Sequence, residues 1–145
     1  MPRGVTLLEL LVVLAVVAVL AAIGLPRAAA LLDTVATERA ARRVVAAHRV
    51  ARFTAIARSS VMLVTVTADS LAVRAVRGPD TTTVWRTPGP AADGVSLSGP
   101  ERPLAFAPTG LPLGLGNATF RLARGRSSRD VVISRLGRTR IAPGS

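Results

Sequence analysis

Apolar and polar positions divide the chain into three stretches. From Val5 to Leu25 nearly every residue is apolar, in "VTLLELLVVLAVVAVLAAIGL", and the single charge is Glu9. At ~1.5 Å per residue this run makes a helix about 30 Å long, the thickness of a bilayer's hydrocarbon core. From Ala28 to about Arg58 the chain is rich in alanine and arginine, with no internal glycine or proline, and this predicts a further helical stretch. Ala36, Ala40, Val44, Ala47, Ala51 and Ala55 recur at spacings of four and three. They form a narrow seam of small side chains, suited to close packing on a sheet. Val45, Val50, Phe53 and Ile56 fall outside the seam, so this helix is expected to meet its own sheet on one face and neighbouring helices on another. Pro26 stands between the two stretches and, lacking a backbone donor, is expected to kink or locally open the helix. Joined, the two stretches make a helix of roughly 50 residues, about 75–80 Å long.

After "RSS" the period changes to two. "VMLVTVT" (Val61–Thr67) and "LAVRAVR" (Leu71–Arg77) are rich in β-branched residues and flank "ADS", a predicted hairpin turn. Further short strands are expected at Thr82–Arg86, Gly94–Ser98, Pro103–Ala107, Ala118–Arg124 and Asp130–Arg135. Proline- and glycine-rich pieces, "TPGPAADG" and "PTGLPLGLG", read as the loops between them. One long helix followed by many short strands is an α+β arrangement with an antiparallel sheet.

Glu9 raises the question of what the apolar run is for. An isolated charge in hydrocarbon costs at least ~2.5–3.5 kcal/mol on insertion scales. A secretory signal peptide would use Arg3 as its basic start and "RAAA" as a cleavage site, which makes a secreted binding protein one reading of the chain. Its apolar core would then span ~7–15 residues, shorter than this run, and would hold no acid. An ordinary membrane anchor explains the length and not Glu9.

The stretch "RGVTLLELLVVLAVVAVLAAIGLP" resembles the N-terminus of type IV pilins and type II secretion pseudopilins. The resemblance implies cleavage after Gly4 by a prepilin peptidase and methylation of the new N-terminus, Val5, by an N-methyltransferase. The family usually has Phe at that first mature position, and Val5 departs from it. Glu9 then matches the family's glutamate at the fifth mature position, and Pro26 matches its proline about 22 residues in. In a filament, Glu9 of one subunit would pair with the Val5 ammonium of the next, so that two groups costly alone become one satisfied pair that fixes axial register. The alternative is that Glu9 reaches a headgroup interface. The order of elements also resembles the minor pseudopilins of the GspH/FimT type, through "ARFTAIARSSVMLV", "LAFAPTG" and "VVISRLGRTRI".

The resemblance implies a division into a leader (1–4), a transmembrane and assembly half-helix (5–25), a second half-helix (26–60) and a β-rich head (61–145). It implies a single-pass protein of the bacterial inner membrane, its head outside the membrane, assembled with other pilins or pseudopilins.

Composition narrows the chemistry. All 19 basic residues are arginine against eight acids, a formal charge of +11, which favours anionic partners. There is no cysteine, so disulfides and thiolate metal sites are excluded. No pair of acids is spaced for acid–base work, and Ser59 and Ser60 have no evident base. "GLPLGLG" lacks the Lys-Ser/Thr of a phosphate-binding loop. His48, the sole histidine, reads as a surface or boundary residue with no companion ligands. The chain reads as a structural protein with no catalytic residue, metal or cofactor.

Between Arg121 and Arg140 stand seven arginines and one acid, Asp130. A hairpin would gather them at one end or edge of the sheet. In "GRTR", Arg138 and Arg140 would point the same way from an extended backbone, and Gly137 would let a ligand approach closely. Paired guanidiniums suit phosphate oxygens. The resemblance sharpens this, because a Gly-Arg-x-Arg motif near the C-terminus is associated with DNA binding in the DNA-uptake members of the GspH/FimT group. Gly137, Arg138 and Arg140, with Arg135 nearby, are the candidate DNA-binding residues. The alternative is a solvated charged edge that blocks strand-to-strand aggregation.

Overall fold

The apolar and alanine-rich stretches form one element. In the computed structural model, which describes residues 6–114 and 117–144, helix α1 (Leu7–Ala57) runs unbroken through Pro26. Local opening at Pro26 is not seen as a break in the helix. The helix stops where the backbone of Ser59 turns left-handed (φ 45°). There the Ser60 N–H donates to the Ala55 carbonyl and the Ser59 N–H to that of Ile56, which satisfies two otherwise orphaned acceptors. The chain divides into two compact units, Met1–Leu32 and Asp33–Ser145.

In the first unit the side chains of α1 are exposed throughout. The apolar window has a mean hydropathy of 2.9 and no buried residue, and α1 is long and apolar enough to cross a membrane. Such a surface is stable only against lipid or other protein.

In the second unit the remainder of α1 is joined by nine strands: β1 (Met62–Val66), β2 (Ser70–Arg77), β3 (Asp80–Pro88), β4 (Ser96–Ser98), β5 (Leu104–Phe106), β6 (Pro112–Leu113), β7 (Ala118–Arg124), β8 (Ser127–Ile133) and β9 (Thr139–Pro143). All pairings are antiparallel. They build two sheets where one was expected, ordered β3-β2-β1-β5-β6 and β4-β7-β8-β9. The division arises because the short β4 pairs with β7, far along the chain, rather than with its neighbour β3. The expected strands are present. β6 and β9 were not expected: β6 is two residues long and begins with proline, and β9 ends with one. The loop "TPGPAADG" contains a 3₁₀ turn, Pro90–Asp93, and the last two residues of "GLPLGLG" lie outside the described residues.

The small-residue seam is the seat of the core. All six seam residues are buried, from Ala36 to Ala55, and they join one apolar cluster with Met62, Val64 and Phe106 of the first sheet and Phe120, Leu122 and Val131 of the second. The small seam residues face both sheets, and the larger strand side chains fill the space between. Outside the seam, Val45 is buried and Val50 packs on the core, whereas Phe53 and Ile56 are exposed.

His48 corrects the sequence-based expectation of a surface or boundary residue. It is 1% exposed, with its ring 6.3 Å from that of Phe106 and 6.0 Å from that of Phe120. The reason is its place in the helical period: it lies four residues after Val44 and three before Ala51, on the buried stripe itself.

Candidate functional site

The N-terminal candidates come first along the chain. Gly4 and Val5 lie outside the described residues. Thr6 precedes the first helical residue, and its hydroxyl accepts the Glu9 amide N–H at 3.2 Å. "TLLE" is thus an N-cap with an acid at the third helical position, a signal the sequence carried and a charge-in-hydrocarbon view passes over. The helix dipole favours a carboxylate there. Glu9 is exposed amid exposed leucines and valines, and it makes no ion pair among the described residues. Pro26 is likewise exposed within α1.

A second group ties α1 to the sheet of β7 and β8. Asp33 pairs with Arg124 at 3.0 Å, Thr37 shares a 2.7 Å hydrogen bond with Ser127, and Glu38 pairs with Arg129 at 3.3 Å. Arg43 pairs with Asp93 of the 3₁₀ turn. The Glu38 carboxyl is held below its ordinary range, chiefly by the hydrogen bond from Arg42. These are part-exposed pairs, each contributing ~0.2–1 kcal/mol, and their effect is to orient the helix rather than to drive folding.

This row divides the arginine-rich C-terminus. Arg124 and Arg129 are engaged with α1, and Arg121 pairs with Asp130 across the β7–β8 ladder at 3.1 Å. Arg126, Arg135, Arg138 and Arg140 are exposed and make no ion pair among the described residues. Arg140 lies in β9, opposite Val132. Arg138 lies just before β9 and closes the β8–β9 turn, where its carbonyl accepts the Ser134 N–H at 2.9 Å. Gly137 is buried in that turn with φ 74°, and a Cβ there would lie 3.2 Å from the Pro112 ring. Its missing side chain is therefore used within the fold. Arg138 faces a concavity shared with Arg49 and Arg52 of α1, two residues that reading along the C-terminus alone cannot associate with it. Among the described residues no group of three His, Cys, Asp or Glu side chains is arranged to hold a metal ion.

Comparison with known proteins places these features. Residues 40–137 match the family model described as type II transport protein GspH, and residues 2–25 match the prokaryotic N-terminal methylation motif. The motif implies prepilin processing and assembly among pilin-family subunits. Two crystal structures of the type IV minor pilin FimU from Pseudomonas aeruginosa (strain PAO1) share the fold. One aligns with a TM-score of 0.63 and 17% identity, over 74% of this chain and 88% of that one. The other gives 0.60 and 17%, over 73% and 92%. No curated protein sequence matches the chain. A pilin fold, a methylation motif on an exposed apolar helix and a family model spanning more than half of the sequence agree: the chain belongs to the GspH family of pseudopilin and minor-pilin structural proteins.

Proposed function

We propose that this chain is a non-catalytic structural subunit of a type II secretion pseudopilus or a related type IV pilus. A prepilin peptidase cuts it after Gly4, its Val5 amine is methylated, and it waits in the inner membrane with its head on the far side until it is assembled. The observation that carries this reading is the methylation motif over residues 2–25, which coincides with a helical surface left wholly exposed in the isolated chain. The match to a type II transport family favours the secretion machine.

Glu9 has two roles to separate. As the partner of the Thr6 cap it supplies its backbone N–H, which glutamine supplies equally. As the counter-ion of a neighbour's N-terminus it needs its charge. Glu9→Gln should keep the helix and its membrane insertion, while incorporation into sheared filaments, measured against the parent by immunoblot, falls severely. Normal incorporation of Glu9→Gln would show that the charge is not needed and that the pairing is absent.

A further inference from the structure

The arginines of the head are not equivalent. Arg42, Arg43, Arg121, Arg124 and Arg129 are matched to carboxylates. Arg49, Arg52 and Arg138 are exposed, make no ion pair among the described residues, and line one concavity of about 620 Å³. The apolar wall of that concavity is Phe53, 69% exposed, and Ile56, 47% exposed. Gly110 lies beneath Ile56: its φ is +78°, and a Cβ there would lie 2.7 Å from the Ile56 Cδ1.

The concavity also reaches the buried His48. The Nδ1 of His48 lies 2.8 Å from the Val44 carbonyl, which can only accept, so Nδ1 carries the proton and Nε2 is an acceptor. That Nε2 is buried and has no hydrogen-bond partner among the described residues. One surface thus offers three cations and two large apolar side chains above a buried imidazole.

We propose that this groove, between the last turns of α1 and the β8–β9 turn, docks a short extended segment of a partner protein in which an apolar side chain is flanked by carboxylates. The apolar side chain covers Phe53 and Ile56, and the carboxylates meet Arg49, Arg52 and Arg138. A nucleic-acid backbone would meet the arginines, but its sugars, each flanked by charged phosphates, cover Phe53 and Ile56 less fully than a leucine-sized side chain does. The inference does not depend on filament entry, since every residue it uses lies in the head unit and the test is made on unassembled protein.

The test uses the full chain in detergent micelles and fluorescence anisotropy. The probes are a labelled hexapeptide alternating aspartate and leucine, the same peptide with lysine for aspartate, the same with serine for leucine, and a short duplex DNA. The aspartate–leucine peptide should bind at least about tenfold more tightly than any other probe. The double variant Arg49→Glu, Arg52→Glu and the single variant Phe53→Ser should each weaken it by about tenfold or more. Arg74→Gln with Arg77→Gln, on a distant strand, should leave it unchanged. The side-chain nitrogen-15 resonances of the sole histidine, which lines the groove, should move when this peptide is added. Absence of binding, equal affinity for the serine peptide, equal loss in the distant variant, or tighter binding of the duplex would each overturn the proposal.

Discussion

At the scale of single residues, His48 shows how a spacing can be present and still be misread. Its position relative to Val44, Ala51 and Ala55 is that of a seam residue, but a polar ring invites placement at the surface. The structure keeps it neutral: burial lowers its pKa below the ordinary 6.5, and the hydrogen bond to the Val44 carbonyl opposes this only in part. The unfolded chain therefore takes up a proton near pH 6.5, and the folded chain does so only at lower pH. Between those values the unfolded state binds more protons, so the contribution of His48 to stability is complete above that pH and is lost as pH falls. Glu38, whose carboxyl is held low chiefly by its hydrogen bond with Arg42, loses its contribution only in the more acid carboxylate range. The urea midpoint of the parent should drop between about pH 7.5 and about pH 5.5, and most of that drop should vanish in His48→Gln. A parent midpoint that is flat across this window contradicts the assignment. The ion pairs between α1 and the strands were beyond sequence reading for a different reason. Glu38 and Arg129 are 91 residues apart, and no local pattern links them.

At the scale of elements, periodicity was legible wherever one face is buried. The seam from Ala36 to Ala55 was readable because a helix on two sheets needs small residues at a fixed spacing, and the β-branched runs of β1 and β2 were readable because alternation signals a half-buried strand. β6 and β9 were hidden by their prolines and brevity, and the split into two sheets depends on β4 pairing with β7, a choice made by tertiary packing. The seam makes a quantitative prediction. Ala47 is fully buried, so Ala47→Leu forces extra volume into a closed core and should destabilise the chain by ~1–3 kcal/mol in urea unfolding. Ala57→Leu, at the exposed end of the same helix, should change stability by less than about 0.5 kcal/mol. Equal effects from the two variants would mean that the seam is not the packing face.

At the scale of the whole molecule, the two units pose complementary problems. The head closes its own core. The N-terminal unit cannot do so, because it leaves more than twenty apolar residues uncovered and offers one carboxylate among them. A membrane would cover the apolar surface, and the proposed filament of like subunits would cover both the surface and the charge. The C-terminal arginines, read along the chain, looked like a single basic patch. The fold distributes them into helix anchors (Arg124, Arg129), a cross-strand pair (Arg121) and a set, including Arg138, that has no carboxylate partner among the described residues. The central claim, that the chain is a processed pilin-family subunit, is tested most directly by intact-mass and N-terminal peptide mass spectrometry of the protein recovered from bacterial membranes. The recovered chain should begin at Val5 and carry one methyl group on its α-amine. A chain that still begins at Met1, or one that begins after Ala30, would contradict it.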